Sequence, residues 1–93
     1  MMKFSKLIPV KGEPIDVRPK NGKCFELKEL QKAVDGYIEI IHLTNSKVMI
    51  INEEGKLDGL PINAIATIIY QRIKKINDVI VGNAIICDKS FIN

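Results

Sequence analysis

Few side chains in this sequence are of a type that does covalent chemistry. His42 is the only histidine. Acyl transfer needs a nucleophile held against a base that a third group orients. His42 instead falls inside the alternating run Tyr37–Leu43, which reads as a strand carrying a half-buried, hydrogen-bonded histidine. Glu53 and Glu54 could work as an acid–base pair, but adjacent carboxylates in a turn read as solvated. Cys24 and Cys87 lie far apart, form no C-x-x-C pair, and with His42 fall short of the roughly four ligands of a zinc site. They read as reduced, dispensable thiols of a reducing compartment. Gly55, Gly59 and Gly82 lack both the spacing and the Lys-Ser/Thr ending of a phosphate loop. These residues predict a protein that is not an enzyme and that uses neither metal nor cofactor.

Binding residues are better represented. Asn52 to Asn63 brings together two amides, two glycines and a proline beside a strongly apolar run. Glycine permits close backbone approach to a ligand, and successive turn N–H groups make anion-binding concavities. Pro61-Ile62-Asn63 resembles a helix start, whose free N–H groups would aim into the same region. For a nucleotide, these donors with Arg18 or Arg72 would meet phosphate. Asn52 or Asn63 would read a polar edge, and Tyr37 or Tyr70 would stack on the base. Gly59 and Leu60 complete the predicted site. The competing reading is an ordinary connection whose Asn and Gly satisfy turn geometry, with Asn63 as a helix cap.

The elements that must position this segment follow from periodicity. Phe4, Lys6, Ile8 and Val10 alternate with Ser5, Leu7 and Pro9, which predicts an edge strand, since proline suits an edge. Lys11–Pro14 is a turn, and Pro14–Arg18 pairs back as a hairpin. Pro19-Lys20-Asn21-Gly22 is the strongest turn signal. Phe25, Leu27, Leu30, Ala33 and Val34 then fit one face of a short helix, with Lys28, Glu29, Gln31 and Lys32 outward and Gly36 as its stop. Tyr37–Leu43 and Val48–Ile51 form a hairpin through Thr44–Lys47, the second strand covered on both faces. After the irregular stretch Asn52–Pro61, Ile62, Ile65, Ile69, Ile73 and Ile76 recur at spacings of three and four. That spacing predicts a helix from about Ile62 to Lys75, with a shorter helix followed by extended chain as the alternative. One or two strands over Asp78–Gly82 and Asn83–Cys87 close the fold, and Asp88–Asn93 reads as a loose or contact-seeking tail. The fold class is α+β, in the order β-β-α-β-β-α-β, with a small antiparallel sheet packed on one or two helices.

Composition bounds the rest. Ninety-three residues predict one domain, 1–93, with 46% apolar and 27% charged residues, close to globular averages. No run approaches the roughly 20 apolar residues of a membrane helix, and Met1–Lys6 leads into no signal-peptide core. The expected location is cytoplasmic. Net charge is +3, with two Arg among the fourteen basic residues, a sparser basic balance than a dedicated nucleic-acid binder carries. The isoleucine surplus exceeds what a small core covers, which predicts a homo-oligomer, most simply a dimer.

Glu13-Pro14, Leu27 to Gln31, Gly36-Tyr37-Ile38-Glu39, Asn52-Glu53-Glu54-Gly55-Lys56-Leu57, Gly59-Leu60-Pro61-x-Asn63 and Asp78-x-Ile80-x-Gly82 together resemble a family of small proteins. That family is catalogued only as a domain of unknown function and occurs in phages and mobile elements of Gram-positive and gut bacteria. The match departs after Asn63, where Ala64 replaces the usual Arg and the segment to Asp78 is longer and richer in Ile. The resemblance implies a phage or mobile-element accessory protein in the cytoplasm of a bacterial host, and such small proteins often act in counter-defence. Two mechanisms fit that setting. One is sequestration of a small nucleotide signal at the Asn52–Asn63 segment. The other is inhibition of a host defence enzyme through the Ile-rich helix and its basic end, Arg72, Lys74 and Lys75. A nucleic-acid-binding accessory protein is the third reading.

Overall fold

The computed structural model describes residues 3–92. Its elements run β1 (Ser5–Ile8), β2 (Ile15–Asp16), α1 (Leu27–Val34), β3 (Ile38–His42), β4 (Lys47–Asn52), α2 (Ala64–Lys74) and β5 (Ala84–Asp88), ending in a 3₁₀ turn at Lys89–Phe91. The α+β class and the order of elements are those the periodicity predicts. The five strands form one antiparallel sheet in the order β2-β1-β5-β4-β3.

Alternation along the strands splits the core in two. Val48, Ile50, Ile85 and Cys87 point to one face, where Leu30 and Val34 of α1 cover them together with Phe25 and Phe91. Met49, Ala84, Ile86 and Ile8 point to the other, where they meet Ala66 of α2 and Ile80. Because β4 and β5 are covered on both sides they read as continuous apolar runs.

Local chemistry explains the boundaries. The Pro19–Gly22 turn closes through Gly22 N–H donating to Pro19 O at 3.0 Å, with Gly22 at φ +76°. Glu29 is not merely an outward residue of α1. Its carboxylate accepts from Glu26 N at 2.8 Å and from Lys20 N at 2.9 Å, tying the helix start to the turn before it. Those two backbone donors hold its carboxyl below the ordinary value. The left-handed residue that ends α1 is Asp35, at φ 61°, not Gly36. Gly36 is required for another reason: a Cβ there would stand 2.7 Å from Asn52 Nδ2.

Two sequence expectations need correction, and three open ones are settled. β1 is not an edge strand, for β2 flanks it on one side and β5 on the other; Pro9 lies just past its end, where its missing N–H disturbs no ladder. Leu27, the first helical residue, is exposed rather than buried with the rest of the apolar face of α1. The helix expected from about Ile62 to Lys75 forms as α2, one continuous helix over Ala64–Lys74, and its Ile65 and Ile73 stay 38% and 41% exposed. Asp78–Gly82 forms no strand, only a single bridge between Ile62 and Val81. Finally, the tail is not loose from Asp88 to Ile92 (Asn93 lies outside the described residues). Asp88 N–H donates to Phe4 O, Lys89 N–H to Ser46 O, and Phe91 O accepts from Phe25 N at 2.8 Å. The Phe91 ring meets Phe25 edge-on at 5.8 Å. An aromatic ring supplies a large share of a small core, which is why the chain's end folds back here.

Phe91→Ala should therefore lower the unfolding free energy by about 3–5 kcal/mol, read as a fall in the urea midpoint. A loose tail would leave the midpoint where it was.

Candidate functional site

The segment singled out by sequence is held from within. Asn52 is buried, and its Nδ2 donates to Val34 O at 3.1 Å and Asp35 O at 3.2 Å while its Oδ1 accepts from Glu54 N at 2.8 Å. It satisfies carbonyls at the end of α1 and shapes the loop that follows. Asn63 is 0% exposed. Its Nδ2 donates to Ile8 O and Gly82 O, both at 2.9 Å, and its Oδ1 accepts from Ala66 N at 3.1 Å as the cap of α2. Most of the loop's N–H groups are spent in the same way: Glu53 donates to Tyr37 O, Gly55 to Asn52 O, Asp58 to Glu54 O and Leu60 to Gly55 O. Gly59, at φ +70°, makes the exposed turn and faces no cavity. Leu60 lies over Gly55 and Gly82, where added Cβ atoms would come within 3.4 and 2.8 Å of its Cδ1.

The eight predicted residues do not converge. Asn52 borders one hollow of about 130 Å³ with Tyr70 and another of about 320 Å³ with Tyr37, which is 67% exposed. Arg18, Gly59, Leu60, Asn63 and Arg72 lie outside both. Arg18 borders a separate hollow against α1, and Arg72 is exposed near the end of α2. The loop also presents Glu53, Glu54 and Asp58 to solvent, while Lys56 is engaged by Asp78 at 2.6 Å. Lys56 holds the Asp78 carboxyl below its ordinary value, with help from Val79 N–H.

A broad apolar groove lies elsewhere, and its origin is the way α2 is fastened. Asn63, Thr67 and Gln71 recur every four residues and bind the extended chain 78–82. Thr67 Oγ1 accepts from Ile80 N at 2.8 Å and donates to Ile80 O at 3.2 Å, and Gln71 Nε2 donates to Asp78 O at 2.9 Å. Ala66 fills the next sector against the core. At about 100° per residue, Ile65, Ile69 and Ile73 then fall on the side of Ala66 away from that polar line: Ile69 packs against the core, while Ile65 and Ile73 stay 38% and 41% exposed. The three isoleucines wall a groove of about 530 Å³ whose other apolar lining is Phe4, Ile8, Pro14, Leu43 and Ile86. That volume is in the range of ligand and side-chain binding clefts.

Lys6 and Lys47 line the groove with their stems while their ammonium groups pair with Asp16 at 2.7 Å and Asp88 at 2.8 Å. Each lysine holds its aspartate's carboxyl below the ordinary value. The sequence offers the Ile-rich helix and its basic end as a protein-binding surface, but no local pattern joins Phe4, Ile8, Leu43 and Ile86 to it. The available clue was an apolar arc on α2 wider than one buried face requires.

Among the described residues no group of three or more His, Cys, Asp and Glu could hold a metal ion, and no helix is long and apolar enough to cross a membrane. The chain belongs to the family described as Domain of unknown function (DUF3846), whose profile matches residues 2–91. Comparison with curated proteins and with solved structures returned no match.

Two outcomes follow from this geometry. Asn63→Ala should cost about 2–4 kcal/mol in a urea titration, more than the ~1 kcal/mol of a lost cap, because Ile8 O and Gly82 O also lose their buried donor. At neutral pH a thiol reagent should label partly exposed Cys24 and spare Cys87 in native protein. Burial, reinforced by the neighbouring Asp88 charge, pushes the Cys87 thiol from 9.0 up to about 12. The unfolded thiol therefore ionises first, and this group's contribution to stability falls as pH rises from 9.0 towards 12.

Proposed function

We propose that this chain is a non-catalytic binding protein that works by taking an apolar segment of another protein into the groove beside α2. In the phage or mobile-element setting implied by the family resemblance, that partner is a host protein, and the outcome is inhibition. The observation that carries the reading is the isoleucine stripe: Ile65 and Ile73 remain 38% and 41% exposed on a helix that is fastened through Asn63, Thr67 and Gln71 and packs on the core through Ala66 and Ile69. With Ile68 and Ile76 they make an uncovered apolar surface of the kind that marks interaction sites when it reaches a few hundred Å².

Charge specifies the partner further. Arg72, Lys74 and Lys75 lie together at the C-terminal end of α2 and join no salt bridge among the described residues. A fitting occupant is an amphipathic helix with large apolar residues at spacings of three and four, and with Asp or Glu towards the end that meets these cations. The groove needs no rearrangement to receive it, since α2 is fixed by hydrogen bonds on its far side.

Selection of a displayed library of helical peptides against the whole chain tests this reading. Enriched sequences should carry that apolar spacing and acidic end, and Ile73→Glu should weaken them by about tenfold or more, ~1.4 kcal/mol. Circular dichroism should report an unchanged fold, because the substituted side chain is already partly in water. Failure to enrich any peptide, or enriched peptides indifferent to Ile73→Glu, would refute it. A thermal shift produced by nucleotides with no peptide binding would return the function to the Asn52–Asn63 segment.

A further inference from the structure

The two edges of the sheet are built differently. At one end β2 is only two residues long and follows Pro14, so it offers almost no ladder. At the other, β3 runs for five residues without proline or lysine, the devices that usually guard an edge. The inner ladder fixes which of its groups are free. Glu53 N–H donates to Tyr37 O and Leu43 N–H to Lys47 O, and β3 pairs β4 in the register Ile38↔Asn52 through His42↔Val48. In an antiparallel pair the hydrogen-bonded positions alternate, so Tyr37, Glu39, Ile41 and Leu43 face β4. Ile38, Ile40 and His42 therefore aim their N–H and C=O groups outward, and nothing among the described residues bonds to them.

We propose that β3 is the seam of a homodimer in which two copies pair antiparallel about a two-fold axis at Ile40, joining two five-stranded sheets into one. The outward residues are symmetric about that position. Ile40 then opposes Ile40 of the second copy, and Ile38 opposes its His42, so every free N–H meets a free C=O. On the opposite face Glu39 lies across from Ile41 and Tyr37 across from Leu43. No like charges meet, whereas a centre at Glu39 would set two carboxylates against each other, which destabilises a pair. Burial favours the same seam: Ile40 is 38% exposed, and Leu27, 56% exposed, lies with it at an open hollow on the α1 side. The self-complementarity is of the kind a two-fold interface requires. The groove and the seam share Leu43, just past β3, whose side chain lines the groove while its backbone bonds to β4.

Sedimentation velocity of the whole chain at tens of micromolar provides the test, since dimer population depends on concentration. The native chain should sediment as a dimer, and Ile40→Lys and Ile40→Glu should each sediment as monomers, because each sets like charges against one another at the axis. Mixing the two variants in equal amounts should restore a dimer, a result that only a seam with residue 40 opposite itself produces. Hydrogen exchange on the native protein gives a reading free of any folding defect: the amides of Ile38, Ile40 and His42 should be protected, and should lose protection on dilution. A native chain that stays monomeric, a dimer that survives both substitutions, or unprotected outward amides would overturn the proposal.

Discussion

One buried side chain sets the relation between the second helix and everything else. The Asn63 carboxamide reaches Ile8 O at the end of β1, Gly82 O ahead of β5, and the first turn of α2. With Thr67 and Gln71 it forms a polar line along α2 that binds the chain 78–82 through both backbone donors and acceptors. A hydrogen bond in low dielectric is directional, and its loss leaves a buried group unsatisfied. The helix is therefore held at a fixed rotation rather than turned to whatever angle buries most apolar surface. The same line explains why Asp78–Gly82 never joins the sheet: its backbone groups already have partners on the helix.

The chain repeats this device at the other helix. Asn52, the last residue of β4, satisfies carbonyls at the end of α1 and closes the loop behind it. The absent side chain of Gly36 makes room for it. Each asparagine joins a helix terminus to a strand, one at the end of α1 and one at the start of α2. The residues that looked most suited to grip a ligand are the ones that assemble the layers.

This is also where the sequence stops being readable. Alternation identifies β3, a continuous apolar run β4 and a helical period the α1 face, because those signals are local and the core answers them directly: Leu30 and Val34 are buried where the period places them. An asparagine before a helix gives the cap signal, but its remaining donors go to Ile8, fifty-five positions away, and to Gly82, nineteen away. No local pattern specifies such partners. The isoleucine period of α2 is real, yet a period states that a helix has an apolar side without stating that the core meets it. The Phe91 ring fails the same way, for its partner Phe25 precedes the first helix.

A groove walled by isoleucine raises the question of why it does not close. Turning α2 to bury Ile65, Ile69 and Ile73 would add contacts to side chains that are already more than half covered. At about 1.5–3 kcal/mol for a fully buried aliphatic side chain, the remaining fraction on three residues is worth only a few kcal/mol in total. The same rotation would pull Asn63, Thr67 and Gln71 away from Ile8 O, Gly82 O, Ile80 and Asp78 O. Each buried polar group left without a partner costs about 1–3 kcal/mol, and several would be lost at once. The polar line outweighs the apolar stripe, so the open groove is the lower-energy arrangement in the isolated chain. A partner that fills it gains the isoleucine surface without breaking any of those bonds, and the groove's walls are already ordered, which removes a main entropic penalty of association.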